Sequence, residues 1–235
     1  MGTTLPSDKI LPMNDIIQII AVYALPVLFA ITLHEAAHGY AAKHFGDNTA
    51  YSLGRVSLDP FKHIDLFGTI ILPIVMFVAT AASGSPFLFG YAKPVPVDFG
   101  KLRNPKRDMV WVALAGPASN FVMAFLWLLL LVGLQAAQVG GTFFLSMANA
   151  GVVTNLVIFA LNLFPIPPLD GGRILVGLLP NKYAFQLAKV EPYGFFVVMI
   201  LATTKVLYRL WIGPLMSISG TLLDLLISPL KLLLN

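Results

Sequence analysis

His34-Glu35-Ala36-Ala37-His38 lies inside Ile16–Phe45, a stretch that otherwise reads as one long apolar helix. No other feature restricts this chain so tightly. At spacing i and i+4 the two imidazoles leave one helix face a turn apart with Glu35 beside them, the arrangement in which paired histidines hold zinc and a carboxylate serves as general base. Two histidines and a carboxylate are costly among lipid-facing side chains, so they are expected to face a protein interior or a water-filled pocket.

The rest of the chain explains why that helix is so apolar. Of 235 residues 57% are hydrophobic and 11% charged, and the mean hydropathy is +0.83. A soluble domain of this size cannot hide that much apolar surface, so the chain is read as an integral membrane protein. The net charge is +4, with basic residues set between apolar runs rather than along an aromatic-lined stripe. That pattern speaks of membrane topology and against nucleic acid. Cysteine is absent, which leaves His, Asp and Glu to hold any metal. Lys9 precedes the first apolar run as in a secretory signal, but the run passes into the His-Glu helix without a small-residue cleavage site and is read as retained. With no repeat or appended soluble domain visible, residues 1–235 are taken as one domain, a core over 15–180 with accessory helices over 190–235.

Crossing about 30 Å of hydrocarbon takes about 20 apolar residues. Ile16–Phe45, Met109–Ala137 and Phe143–Phe164 qualify. Phe195–Ile212 and Leu215–Leu234 are weaker because Lys205, Arg209 and Asp224 interrupt them, and Leu66–Ala82 is short and contains Pro73. The expected fold is an all-α polytopic bundle of five to six hydrophobic segments. Ala50–Leu58, with aromatic and β-branched residues around Gly54, is expected to add a small β-hairpin at the membrane surface. Gly90–Val97, with prolines at 94 and 96, reads as an edge strand or polyproline segment. An exposed edge in either segment would hold an extended peptide by strand addition.

A catalytic zinc usually takes three protein ligands. The best third candidate is Asp170, in Asn162-Leu-Phe-Pro-Ile-Pro-Pro-Leu-Asp170-Gly-Gly-Arg173. Three prolines stop the preceding helix, and Gly171 and Gly172 permit unusual dihedrals, so Asp170 is presented from irregular backbone. The alternative is that Asp170 caps a short helix, Gly171–Leu179. Ala113, Gly116, Asn120 and Ala124 recur on one helix face, small enough for close approach of a neighbour. Asn120 then makes either a structural interhelical hydrogen bond or a contact to a substrate carbonyl or oxyanion. The same pair of readings applies to Asn162, and Asn155 reads chiefly as a packing residue. His44, near a helix end, is expected at the interface, and His63 reads as a loop histidine.

His34-Glu35-x-x-His38, Gly116-Pro117-x-x-Asn120 and Asn162-x-x-Pro165-x-Pro167-x-x-Asp170-Gly171 occur in the order and spacing of one family, and the GYAKPVPV stretch at Gly90–Val97 fits it too. Over residues 15 to 195 the chain resembles the site-2 protease family of intramembrane zinc metalloproteases, in its short bacterial and archaeal form without a PDZ or CBS domain. The resemblance implies a three-helix catalytic core plus accessory helices, one zinc ion, and cleavage of transmembrane protein substrates in the bilayer. By that match His34, His38 and Asp170 would be the zinc ligands and Glu35 the catalytic carboxylate. Asn120 and Asn162 would contact substrate or transition state. The apolar Leu66–Ala82 run departs from the larger members.

Two alternatives stand beside this. Zinc permeases also carry His-Glu-x-x-His on a membrane helix, but they need a continuous polar path, and Ile16–Leu33 offers little beyond Gln18 and Thr32. A catalytically idle membrane-binding homologue is the other. Topology follows from charge: if Leu66–Ala82 dips in and returns, lysines and arginines split twelve to three, against ten to five for a full crossing. The first split obeys the positive-inside rule better and expects a re-entrant run, an external N-terminus and a site toward the cytoplasm of a prokaryotic plasma membrane.

Overall fold

The computed structural model describes residues 13–72, 75, 92–139 and 141–234. Its elements are α1 (Met13–His44), the single turn α2 (Thr49–Ser52), α3 (Pro105–Ala136), α4 (Thr142–Asn162), α5 (Asp170–Leu178), α6 (Asn181–Ala188), α7 (Glu191–Thr203) and α8 (Gly213–Leu234). Among the described residues four helical stretches are long and apolar enough to cross a membrane: Ile17–His44, Pro105–Ala136, Thr142–Asn162 and Tyr208–Leu232. A fifth is possible if α6 and α7, bent by 66°, count as one broken span. Lys205 at φ +60° ends the α7 region, so the last span starts at Tyr208 rather than at Leu215.

Small side chains let the central helices meet. Ala36 and Ala42 on α1, Ala113 and Ala124 on α3, and Ala148 and Ala160 on α4 are all buried, which is how membrane helices gain dispersion contacts where lipid offers no hydrophobic drive. Large apolar residues such as Ile20, Leu126 and Phe144 point outward and are exposed, as on helices apolar enough to span a bilayer. The predicted small-residue stripe of α3 does face the bundle interior: Gly116 and Asn120 are buried with Ala113 and Ala124. Leu223 of α8 closes a core with Ala124 and Leu156, and Trp211 Nε1 donates to Ala160 O at 2.8 Å.

The β-hairpin expected over Ala50–Leu58 is not formed, and there is no strand among the described residues. Local hydrogen bonding wins over the strand-like pattern. Asp47 Oδ1 accepts the Thr49 N–H at 2.9 Å and starts a helical turn, α2, whose Ala50 is buried. Gly54 at φ +63° ends it, with its N–H on Tyr51 O; only a glycine takes that conformation at little cost. Residues 92–98 are irregular and carry no ladder, so the strand-addition idea loses its edge there as well. Gly90 and Tyr91 lie outside the described residues.

Residues 92–98 instead form a strap along α1. Val95 N donates to Glu35 Oε2 at 2.7 Å, and Asp98 N donates to Asp47 Oδ2 at 2.7 Å. Between these clips Gly39 lets the strap lie close, since a Cβ there would fall 2.8 Å from Val56 and 3.2 Å from Val95. The Arg103 N–H donates to Phe45 O and its guanidinium to His44 O. Thus α3 begins on the face of the bundle where α1 ends. The expected re-entrant run, Leu66–Ala82, falls mostly outside the described residues.

Candidate metal centre

The histidine spacing works as local helix geometry requires. On α1 the His34 and His38 Nε2 atoms lie 3.0 Å apart. Gly116 of α3 makes room for them: a Cβ there would lie 2.6 Å from His34 Cε1 and would strike the His38 ring. Asp170, the first residue of α5, reaches the same point, with Oδ2 at 3.2 Å from His34 Nε2 and 3.3 Å from His38 Nε2.

Asp170 is not spent as a cap. The cap position is Leu169, and no side chain caps the helix. Gly171 and Gly172 serve a purpose other than unusual dihedrals: both are helical, and a Cβ on either would strike the Leu163–Pro167 backbone. Their lack of side chains lets the first turn of α5 lie on the proline turn and bring Asp170 inward.

Hydrogen bonding assigns the tautomers. His38 Nδ1 lies 2.7 Å from Val112 O, a pure acceptor, so Nδ1 carries a proton and the lone pair of the neutral ring is on Nε2. His34 Nδ1 lies 2.6 Å from Asn120 Oδ1. Asn120 Nδ2 donates to Ala30 O and to Asn155 Oδ1, which orients the amide and gives His34 the same tautomer. The Nε2 atoms of both histidines and Oδ2 of Asp170 therefore converge at 3.0–3.3 Å from one another, and Asp170 Oδ2 is buried without a hydrogen-bond partner. Three such acceptors need a positive charge between them, which a metal ion supplies and which a proton supplies in its place. All three residues are buried and their ligand atoms lie within 4.8 Å of one another, and a nitrogen, nitrogen, oxygen donor set suits zinc.

The centre opens onto a cavity of about 420 Å³. Glu35 lines it, as do Pro94 and Phe99 from the strap region, Asn162 from α4 and Arg173 from α5. Asn162 Nδ2 is tied to Ile158 O at 3.0 Å. Asn120 is fully buried and lies behind His34, away from the cavity wall. His44 is exposed, its ring against Phe45. His63 is buried, with Nε2 2.9 Å from Ser57 O, and takes no part in the centre.

Peptidase family M50 matches residues 22–151, more than half of the chain. The chain belongs to that family. This M50 peptidase is 36% identical over 193 residues to a Bacillus subtilis protein named "Putative zinc metalloprotease YwhC", covering 80% of the chain and 83% of that relative. It is 33% identical over 208 residues to a Mycolicibacterium smegmatis protein named "Putative zinc metalloprotease Rip2", covering 86% and 74%. No solved structure matches. The matched family segment contains His34, Glu35, His38 and Asn120 but ends before Asp170; the M50 peptidase brings that carboxylate in by folding α5 against α3.

Asn155, read chiefly as a packing residue, makes an interhelical hydrogen bond with Asn120. Val95 is a residue whose contact sequence reasoning missed; the signal was the bracketing by Pro94 and Pro96, which leaves Val95 the one amide donor of the three.

Proposed function

We propose that this M50 peptidase hydrolyses peptide bonds within or next to transmembrane segments of other membrane proteins, with one zinc ion per chain held by His34, His38 and Asp170. The observation that carries the reading is the convergence of three buried groups able to ligate a metal, one of them the unpaired Oδ2 of Asp170, on a cavity walled by membrane-length helices. When bound, zinc supplies a Lewis acid that polarises a water and the scissile carbonyl. Glu35, held by the Val95 N–H, takes the proton of the attacking water and later delivers it to the leaving amine. A substrate helix shields its peptide bonds with its own turns, so the substrate must unwind locally to reach Glu35. Asn162 on the cavity wall offers a polar contact for the freed backbone.

The reading includes a multi-pass chain in a prokaryotic plasma membrane with the site toward the cytoplasm, supported by the basic-residue distribution. Membership of a peptidase family counts against the permease alternative. Retention of Glu35 with all three acceptors counts against an idle homologue.

The test is cleavage of a panel of transmembrane-segment fusions by purified protein in detergent, with zinc measured in the same preparation. Glu35→Gln should abolish cleavage and keep zinc near one per chain, because the amide retains the shape but cannot carry the proton. Asp170→Ala should lower both. Chelators should inactivate, whereas thiol reagents should not, as there is no cysteine to modify. Wild-type turnover by Glu35→Gln would remove Glu35 from the mechanism.

A further inference from the structure

Behind His34 runs a chain of side-chain amides across three helices. Asn155 Nδ2 donates to Gly151 O at 2.8 Å, which orients its amide and turns Oδ1 toward α3. Asn120 Nδ2 donates to that Oδ1 at 3.0 Å and to Ala30 O at 3.1 Å, which turns Asn120 Oδ1 toward His34 Nδ1 at 2.6 Å. Both asparagines are fully buried. Each orientation is settled by a backbone carbonyl, which can only accept.

We infer that Asn120 and Asn155 are positioning residues that hold His34 in its Nδ1–H tautomer with Nε2 aimed at the metal. This rests on His34 being a zinc ligand, as proposed above. The hydrogen bonds already made by Asn120 leave it no donor for a substrate carbonyl or oxyanion: both protons of Nδ2 are engaged, one by α1 and one by α4. In an apolar bundle an imidazole without such an acceptor is free to exchange tautomers, and every molecule carrying the proton on Nε2 loses a metal ligand. Partners of this kind typically change metal affinity by about 10–100-fold.

Two measurements test the relay. In zinc-loaded wild type with ¹⁵N-labelled histidine, the chain has only four histidines, and the His34 signal, assigned by its loss in His34→Ala, should be that of a ring with its proton on Nδ1. Zinc affinity by competition with a chelator should fall about tenfold in Asn155→Leu and recover in Asn155→Asp, whose protonated carboxyl can both accept from Asn120 and donate to Gly151 O. Because Asn155 acts through Asn120, Asn155→Leu should add nothing in an Asn120→Leu background. A His34 Nε2–H tautomer in wild type would overturn the relay. So would unchanged affinity in Asn155→Leu, equal affinities for the Leu and Asp variants, or a full additional loss in the double variant. His34→Ala binding zinc as tightly as wild type would instead sink the zinc-ligand reading on which the relay depends.

Discussion

Glu35 Oε2 accepts the backbone N–H of Val95 at 2.7 Å, and Val95 is bracketed by two prolines that have no N–H to give. The bond joins the carboxylate of α1 to the strap, which Asp47 clips again at Asp98. A hydrogen bond to a charged acceptor contributes about 1.5–3 kcal/mol. Val95→Pro, which deletes the donor at the cost of the valine side chain and a fixed φ, should therefore lower kcat by about 10–100-fold while zinc content stays at the wild-type level. Val95→Ala keeps the N–H and should retain most activity. Equal kcat in the Pro variant and wild type would show that Glu35 is held by other means.

Gly116 is where α3 passes His34 and His38. The Cβ of Gly116→Ala would press on both rings, so either the helices part or the histidines turn. Overpacking of a tight interface costs typically about 1–3 kcal/mol. The expected outcome is a lower melting temperature together with weaker zinc binding, read by thermal unfolding in detergent and by chelator competition. Gly133, where a Cβ meets nothing within 4 Å, is the control: Gly133→Ala should leave zinc binding unchanged and should not lower the melting temperature.

Asp47 supplies the pH dependence of the strap. Burial pushes its carboxyl up, but hydrogen bonds from Thr49 and the Asp98 N–H, with Lys101 nearby, outweigh this and hold it below its ordinary value of 3.8. A carboxylate lowered on folding stabilises the native state fully above its unfolded value and loses that contribution as pH falls through the folded one. Wild type should therefore melt above Asp47→Asn by a constant margin from neutrality down to about pH 5, and the margin should shrink below about pH 4. A margin independent of pH would mean the carboxylate charge is not what secures the strap.

Orientation can be read directly, because the chain has no cysteine of its own. Single cysteines at Ser57, Asn104 and Thr142, treated in intact cells with an impermeant thiol reagent, should be labelled from outside only at Thr142. Asn104 and Ser57 lie beyond the ends of α1 and α3 that adjoin each other, so they should behave alike. External labelling of Asn104 would reverse the proposed placement of the site toward the cytoplasm.

The amino-acid sequence alone determined the features that depend on neighbours along the chain. The i, i+4 spacing put His34 and His38 on one helix face whatever that helix packs against, and run length with hydropathy marked the spanning helices. Where a decision needed a partner from elsewhere, the sequence left two readings open. Asp170 could cap its helix or turn inward until α5 was seen to lie against the proline turn, with Leu169 at the cap position and the Asp170 carboxylate 3.2 Å from His34. Asn120 could face substrate or a neighbouring helix until Ala30 O and Asn155 claimed its amide. The Ala50–Leu58 pattern resembled a hairpin because alternation is blind to the Asp47 carboxylate, whose hydrogen bond to Thr49 turns the chain into a helical turn instead. Which polar group meets which across separate helices is set by close packing of small residues in three dimensions, and periodicity along one helix carries no information about it.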